Sequence, residues 1–235
     1  MNYTYYRENV KKLKLTKIHG NGFNKAMICV PIRQISSKEA IKMMLAAQKT
    51  ADVSEIWFDE ISDFSAEKFN EIMKSKKSPI IYKWQGNHEN LKIILRKNIE
   101  YIDIDLKTKK SIIDKIRQIN PKIKIIMSFH DFKKTPKDSD LRKIISKMKS
   151  KNTDIIKIAT FAKNITDNFR IFKLLSDLVS EGEKAICLCM GEKGKFSRIA
   201  GHLLGNYLMY APLDKKDMTA EGQLTVKELK KCLSK

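Results

Sequence analysis

Apolar runs of strand length alternate with amphipathic stretches of helix length from about residue 26 to the end of the chain. This rhythm limits the fold more than any single motif does. Strands are expected at 26–32, 55–60, 79–83, 101–106, 124–128, 154–160, 184–190 and 208–211, roughly every 22–30 residues. Between them apolar residues recur at helical spacing, as in Ile41, Met44 and Leu45, or Leu141, Ile144, Ile145 and Met148, or Phe169, Phe172 and Leu175. Ser36 or Ser37 offers an N-cap to the first of these helices, and Thr225 with Glu228 forms a capping box for the last. Eight strands, each followed by a helix, predict an α/β fold of the (β/α)8 TIM-barrel type. A doubly wound open sheet is the rival, but it usually carries a glycine-rich turn after its first strand, and here that strand runs into Pro31-Ile32-Arg33-Gln34-Ile35. The basic stretch 1–25, with Gly20-Asn21-Gly22 as a turn signal, is expected to form a short N-terminal hairpin closing the barrel bottom. No linker divides the chain, so residues 1–235 are read as a single barrel domain.

The formal charge of +20 invites a nucleic-acid reading, but only seven of the 47 basic residues are arginine. Lysines are spread along every segment, often on outer helix faces, and arginine is the residue that reads bases and phosphates bidentately. A lysine-rich composition with no nucleic-acid partner is the expected reading, although the excess can draw in anionic substrates. The apolar runs are far too short for a membrane helix, and no signal peptide is legible at the N-terminus, which predicts a soluble cytoplasmic protein without a membrane partner. The four cysteines read as reduced thiols, and neither they nor the four histidines have metal-ligand spacing, so no metal site is expected.

In a parallel barrel the active site forms at the C-terminal ends of the strands. Lys157 interrupts the β-branched run Ile155-Ile156-Lys157-Ile158-Ala159, on the same face as Ile155 and Ala159. If that face is the lumen, burial and nearby cations are expected to lower its pKa and free a neutral amine as a nucleophile. If it is the outer face, the lysine snorkels between helices. His130, in Ser128-Phe129-His130-Asp131-Phe132, places an imidazole where the preceding strand becomes loop, a suitable position for a general acid and base. The segment from Met190 to Arg198, followed by Gly201 and Gly205, is a glycine-rich loop entering a helix with one of the few arginines, suited to capturing a carboxylate or phosphate, and Gly222-Gln223 offers a loop that can close over a ligand.

Together these segments resemble the type I 3-dehydroquinate dehydratases, from about residue 26 to the C-terminus. The matching motifs are Ser-Phe-His-Asp-Phe at 128–132 with Thr135-Pro136, Lys157-Ile158-Ala159, Met190-Gly191 through Ser197-Arg198, and Glu221-Gly222-Gln223. The resemblance implies that Lys157 forms an imine with the C3 ketone of 3-dehydroquinate and that His130 takes the C2 proton and returns one to the departing C1 hydroxyl. It implies that Arg198 holds the substrate carboxylate, with Thr219 and Gln223 closing over it, and that Glu55, Trp57 and Lys83 line the substrate site. No metal or organic cofactor is implied, because the covalent imine on Lys157 is itself the electron sink, and a homodimer is implied. Some positions depart from the family pattern. Trp57 and Lys83 stand where the family has arginines, Asn87 aligns with a glutamate that orients the histidine, and Glu221 replaces a proline close to the expected carboxylate. The altered shell leaves open another class I Schiff-base lyase or aldolase acting on a different keto-acid, or a non-catalytic barrel acting as a binding protein.

Overall fold

A strand covered by helices outside and by its neighbours across a lumen has no wet face, so it reads as a continuous apolar run. In a computed structural model of the chain, which describes residues 27–233, these runs are β1 (Met27–Ile32), β2 (Val53–Ile56), β3 (Ile80–Lys83), β4 (Tyr101–Asp105), β5 (Lys124–Asp131), β6 (Ile155–Phe161), β7 (Ala185–Met190) and β8 (Leu208–Tyr210). They alternate with α1 (Ser37–Ala47), α2 (Ala66–Ser75), α3 (His88–Leu95), α4 (Lys110–Ile119), α5 (Asp138–Lys149), α6 (Asp167–Ser180), α7 (Lys195–Ala200) and α8 (Val226–Leu233). The hairpin expected over residues 1–25 lies outside the described residues. No helix among those described is long and apolar enough to cross a membrane.

All pairings are parallel and sequential from β1 to β7, and β8 returns to pair with β1. Among the described strands, β7 and β8 share no ladder. Their seam is closed by Tyr207, whose N–H donates to the Ala185 carbonyl at 2.8 Å, and by the Asn206 side chain, whose Oδ1 accepts from the Cys187 N–H at 2.8 Å. Outward residues such as Ile102, Ile104, Ile156 and Ile158 pack against helical stripes that include Ile113, Ile116, Leu141 and Ile145. Ser36 is the residue that caps α1, and Thr225 and Glu228 cap α8 reciprocally at 2.9 and 3.2 Å.

Three expected elements differ. β2 begins at Val53 and ends at Ile56, because Trp57 leaves the extended region and residues 58–60 form a 3-10 turn. β5 continues to Asp131, which puts His130 on the strand itself. In α6 the buried stripe is Ile171, Leu175 and Leu178, while Phe169 is exposed.

Strand parity builds the site. Val53, Ile81, Ile126, Ile155, Ile186 and Leu208 point inward and form an apolar floor. Two residues further along the same strands, the same face carries Glu55, Lys83, Ser128, Lys157 and Tyr210, and β4 adds Asp103. A polar layer therefore lies directly on the floor, below the ends of the strands.

Candidate active site

The polar layer opens into a cavity of about 520 Å³ at the C-terminal ends of the strands. All eight site residues expected from the sequence line it: Glu55, Trp57, Lys83, His130, Lys157, Arg198, Thr219 and Gln223. Lys157 is buried on the lumen face, which removes the alternative of an outward, snorkelling lysine. Its Nζ donates to Asp103 Oδ2 at 2.7 Å and to Glu55 Oε2 at 3.1 Å. Asp103 is shared, since its Oδ1 also accepts from Lys83 Nζ at 2.7 Å and from the Ser128 hydroxyl at 2.6 Å.

This pairing reverses one expectation. Burial works to lower the Lys157 pKa, but Asp103 and Glu55 outweigh it and hold the ammonium above the ordinary lysine value. The same cations hold Asp103 below the usual carboxylate range against its burial. The resting lysine is therefore an ammonium, and a nucleophile must be made from it when a ligand arrives.

His130 lies in register with Ala159 on β6 and stacks on Phe132, with centroids 5.9 Å apart. Burial, reinforced by Lys83 and Lys157 and opposed by Asp103, pushes its pKa down to about 3. The imidazole is a neutral base at physiological pH. Asn87 does not orient it: its Oδ1 accepts from the Glu89 and Asn90 N–H groups, both at 3.0 Å, as the N-cap of α3. A short polar side chain just before a helix satisfies the orphan N–H groups there, and this local demand takes the asparagine away from the lumen.

Arg198 is buried in the short helix α7, and burial lowers its pKa to about 10. Its Nη2 donates to the Glu221 carbonyl at 3.4 Å, and its Nε is buried without a partner. No carboxylate faces it in the described ion pairs. Asp105 and Lys107, both exposed, offset each other in the lining, while Lys83, Lys157 and Arg198 meet Glu55 and Asp103, so one positive charge in the cavity is left unmatched. Buried charges are stable only when paired, so this guanidinium is set for an anion.

The loop bearing Thr219 and Gln223 closes on the same side. Gln223 Oε1 accepts from the Thr219 and Ala220 N–H groups at 2.8 and 3.2 Å. Gly222 (φ +78°) sits so close to Gly191 that a Cβ there would lie 2.2 Å from the Gly191 carbonyl oxygen, so only glycine fits. The Gly191 N–H in turn donates to the Glu221 carbonyl at 3.1 Å. Glu221 thus presents its backbone to Arg198, and its side chain is exposed rather than set into the cavity. Trp57 donates from Nε1 to Glu55 Oε1 at 3.3 Å, and Arg33 stacks on its outer face at 4.7 Å, outside the cavity lining. Asp103 and Tyr210 were not singled out from the sequence. A polar residue at lumen parity in an apolar strand, as in Tyr101-Ile102-Asp103-Ile104, is the signal that finds the first. Among the described residues no group of three or more His, Cys, Asp or Glu side chains is arranged to hold a metal ion.

Fold and site together define a (β/α)8-barrel enzyme centred on a buried lysine. A family model described as type I 3-dehydroquinase matches residues 28–235. The 3-dehydroquinate dehydratase of Methanococcus maripaludis strain C6 is 35% identical over 222 residues, spanning 88% of this chain and 98% of the relative. That of Methanocaldococcus jannaschii is 34% identical over 219 residues, spanning 87% and 96%. The chain belongs to the type I 3-dehydroquinase family. Among solved structures, the 3-dehydroquinate dehydratase of Aquifex aeolicus VF5 superposes with a TM-score of 0.70 at 26% identity over 88% of this chain and 97% of that one. The type I enzyme of Clostridium difficile, solved with covalently modified comenic acid, has the same fold, with a TM-score of 0.78 at 22% identity over 90% and 92%.

Proposed function

We propose that this chain dehydrates 3-dehydroquinate to 3-dehydroshikimate through an imine on Lys157, with His130 as general acid and base. The observation that carries the reading is a cavity holding a buried lysine between two carboxylates together with a buried arginine that lacks an anion. Arg198 takes the substrate carboxylate, matching the cavity's surplus charge, while Thr219 and Gln223 cover it. Lys157 gives up a proton and attacks the C3 ketone, and loss of water leaves a protonated imine. Neutral His130 then removes the C2 proton, the electron pair passes into the imine as an enamine, and the pair returns as the C1 hydroxyl leaves with the proton from His130. Hydrolysis of the imine frees the product. The net change is loss of one water, and neither a metal nor an organic cofactor is called on. The family supports extending the reading to a cytoplasmic homodimer without a nucleic-acid partner.

The test is addition of 3-dehydroquinate to the folded protein, read by enone absorbance and by intact mass after borohydride. Enone formation with a single reduced adduct is expected. A folded protein that gives neither would overturn the reading, and an adduct with a different keto-acid only would move it to another Schiff-base lyase.

Arg198 gives a second check. Arg198→Met removes two charge-assisted hydrogen bonds to the substrate, and kcat/KM is expected to fall on the order of 10³-fold. Because it also removes a buried unmatched cation, the melting temperature should hold or rise. A variant that loses stability while keeping kcat/KM would mean that Arg198 is structural.

A further inference from the structure

Tyr210 ends β8, buried in the lumen, and touches both members of one ion pair. Its ring centroid lies 4.0 Å from Lys157 Nζ, and its hydroxyl donates at 2.8 Å to Glu55 Oε2, the same oxygen that Lys157 meets at 3.1 Å. Burial and the adjacent Glu55 raise the phenol far above its ordinary pKa, so it stays a neutral donor. We propose that Tyr210 is a positioning residue for the reaction above. Its ring keeps positive charge on the reacting nitrogen, and its hydroxyl anchors and moderates the carboxylate beside that nitrogen. The assignment rests on the imine reading of Lys157.

The chemistry gives the ring a reason to be there. An ammonium and a ketone become a protonated imine and water, with three N–H hydrogens accounted for as one on the imine and two in the water. The charge at Nζ is therefore the same before and after. A π face 4.0 Å from the nitrogen attracts that charge in both states and, unlike a carboxylate, cannot remove the proton. The hydroxyl acts in the opposite sense. By occupying a lone pair of Glu55 Oε2 it withholds part of the carboxylate's pull on Lys157. One side chain thus sets the acidity of the nucleophile from two directions.

The other groups facing Lys157 are the same residues in wild type and in both Tyr210 variants. They are Cys29 on β1, Glu55 on β2, Lys83 on β3, Asp103 on β4 and His130 on β5, with apolar Ile186 and Leu188 from β7 and Arg198 above. The experiment is the rate of borohydride-trapped adduct formation with 3-dehydroquinate as a function of pH, for wild type, Tyr210→Phe and Tyr210→Leu. Tyr210→Phe keeps the ring and frees Glu55, so the rise in trapping moves to higher pH than in wild type. Tyr210→Leu loses ring and hydroxyl, so its rise lies below that of Tyr210→Phe by about one pH unit, close to a tenfold difference in rate at fixed pH. Profiles that superimpose on wild type, with only a lower melting temperature, overturn the proposal, as does a Leu profile at or above the Phe profile. If Tyr210→Leu does not fold, the Phe variant alone decides, and an unmoved profile rejects the assignment. No adduct on the wild type strikes the imine reading itself, whereas a wild-type adduct with unmoved variants strikes Tyr210 only.

Discussion

Lys157→Ala is expected to give no borohydride-trapped adduct with 3-dehydroquinate and to lower turnover by at least about 10⁴-fold, because the covalent route has no second amine in the polar layer able to take its place. Lys83 is the other lysine of that layer, and its Nζ is committed to Asp103 and Ser128. The substitution also strands two buried carboxylates, and removing one partner of such a pair costs about 3–5 kcal/mol. The cost should sit at the low end, since Asp103 keeps Lys83 and Ser128 while Glu55 keeps Tyr210 and Trp57. Lys157→Arg separates the two effects: it preserves a cation for the carboxylates and is expected to be folded yet inert. Near-normal turnover in either variant, measured by enone absorbance, would show that the nucleophile lies elsewhere.

His130→Ala should behave differently. The adduct still forms, because Lys157 is intact, but proton removal from C2 stalls, and turnover falls by about 10²–10⁴-fold. Trapped adduct therefore accumulates in the variant where it is fleeting in the wild type. Burial and the two neighbouring lysines push His130 down to about 3, so wild-type kcat/KM has no fall centred near 6.5 on the acid side. Stability carries the same signature. As pH drops below about 6.5 the unfolded chain protonates this imidazole and the folded chain does not, so protonation favours unfolding and stability declines towards pH 3. His130→Ala lacks that share of the decline, and the melting-temperature difference between variant and wild type should shift in the variant's favour as pH falls from 8 to 4. Parallel curves would place the imidazole in an ordinary solvated setting.

The barrel was legible because its period is written locally: each apolar run and each amphipathic stretch reports on its own burial without reference to distant sequence. Parity within one strand likewise sufficed to put Lys157 with Ile155 and Ala159, and the lumen is where that face points. What could not be read is what meets across the lumen. The partners of Lys157 lie 54 and 102 residues away, and Glu55 and Tyr210 are 155 residues apart, so their contact exists only once eight strands have closed. For that reason the lysine's pKa was expected to fall and instead rises. Asn87 illustrates the opposite failure. Alignment gave it a task in the lumen, but the N-terminus of α3 had the nearer claim on its side chain. Glu221 shows a third kind, in which the residue type says nothing because the backbone carbonyl is the part that faces Arg198.

The unladdered junction between β7 and β8 has a consequence for how the molecule stores its strength. Arg198 follows β7, and Thr219 and Gln223 follow β8, so under the proposed function a carboxylate held by all three adds a tie across two strands that are otherwise joined only by the Tyr207 and Asn206 contacts. Occupancy and hoop integrity then become one equilibrium: by mass action the ligand tightens the vessel that holds it.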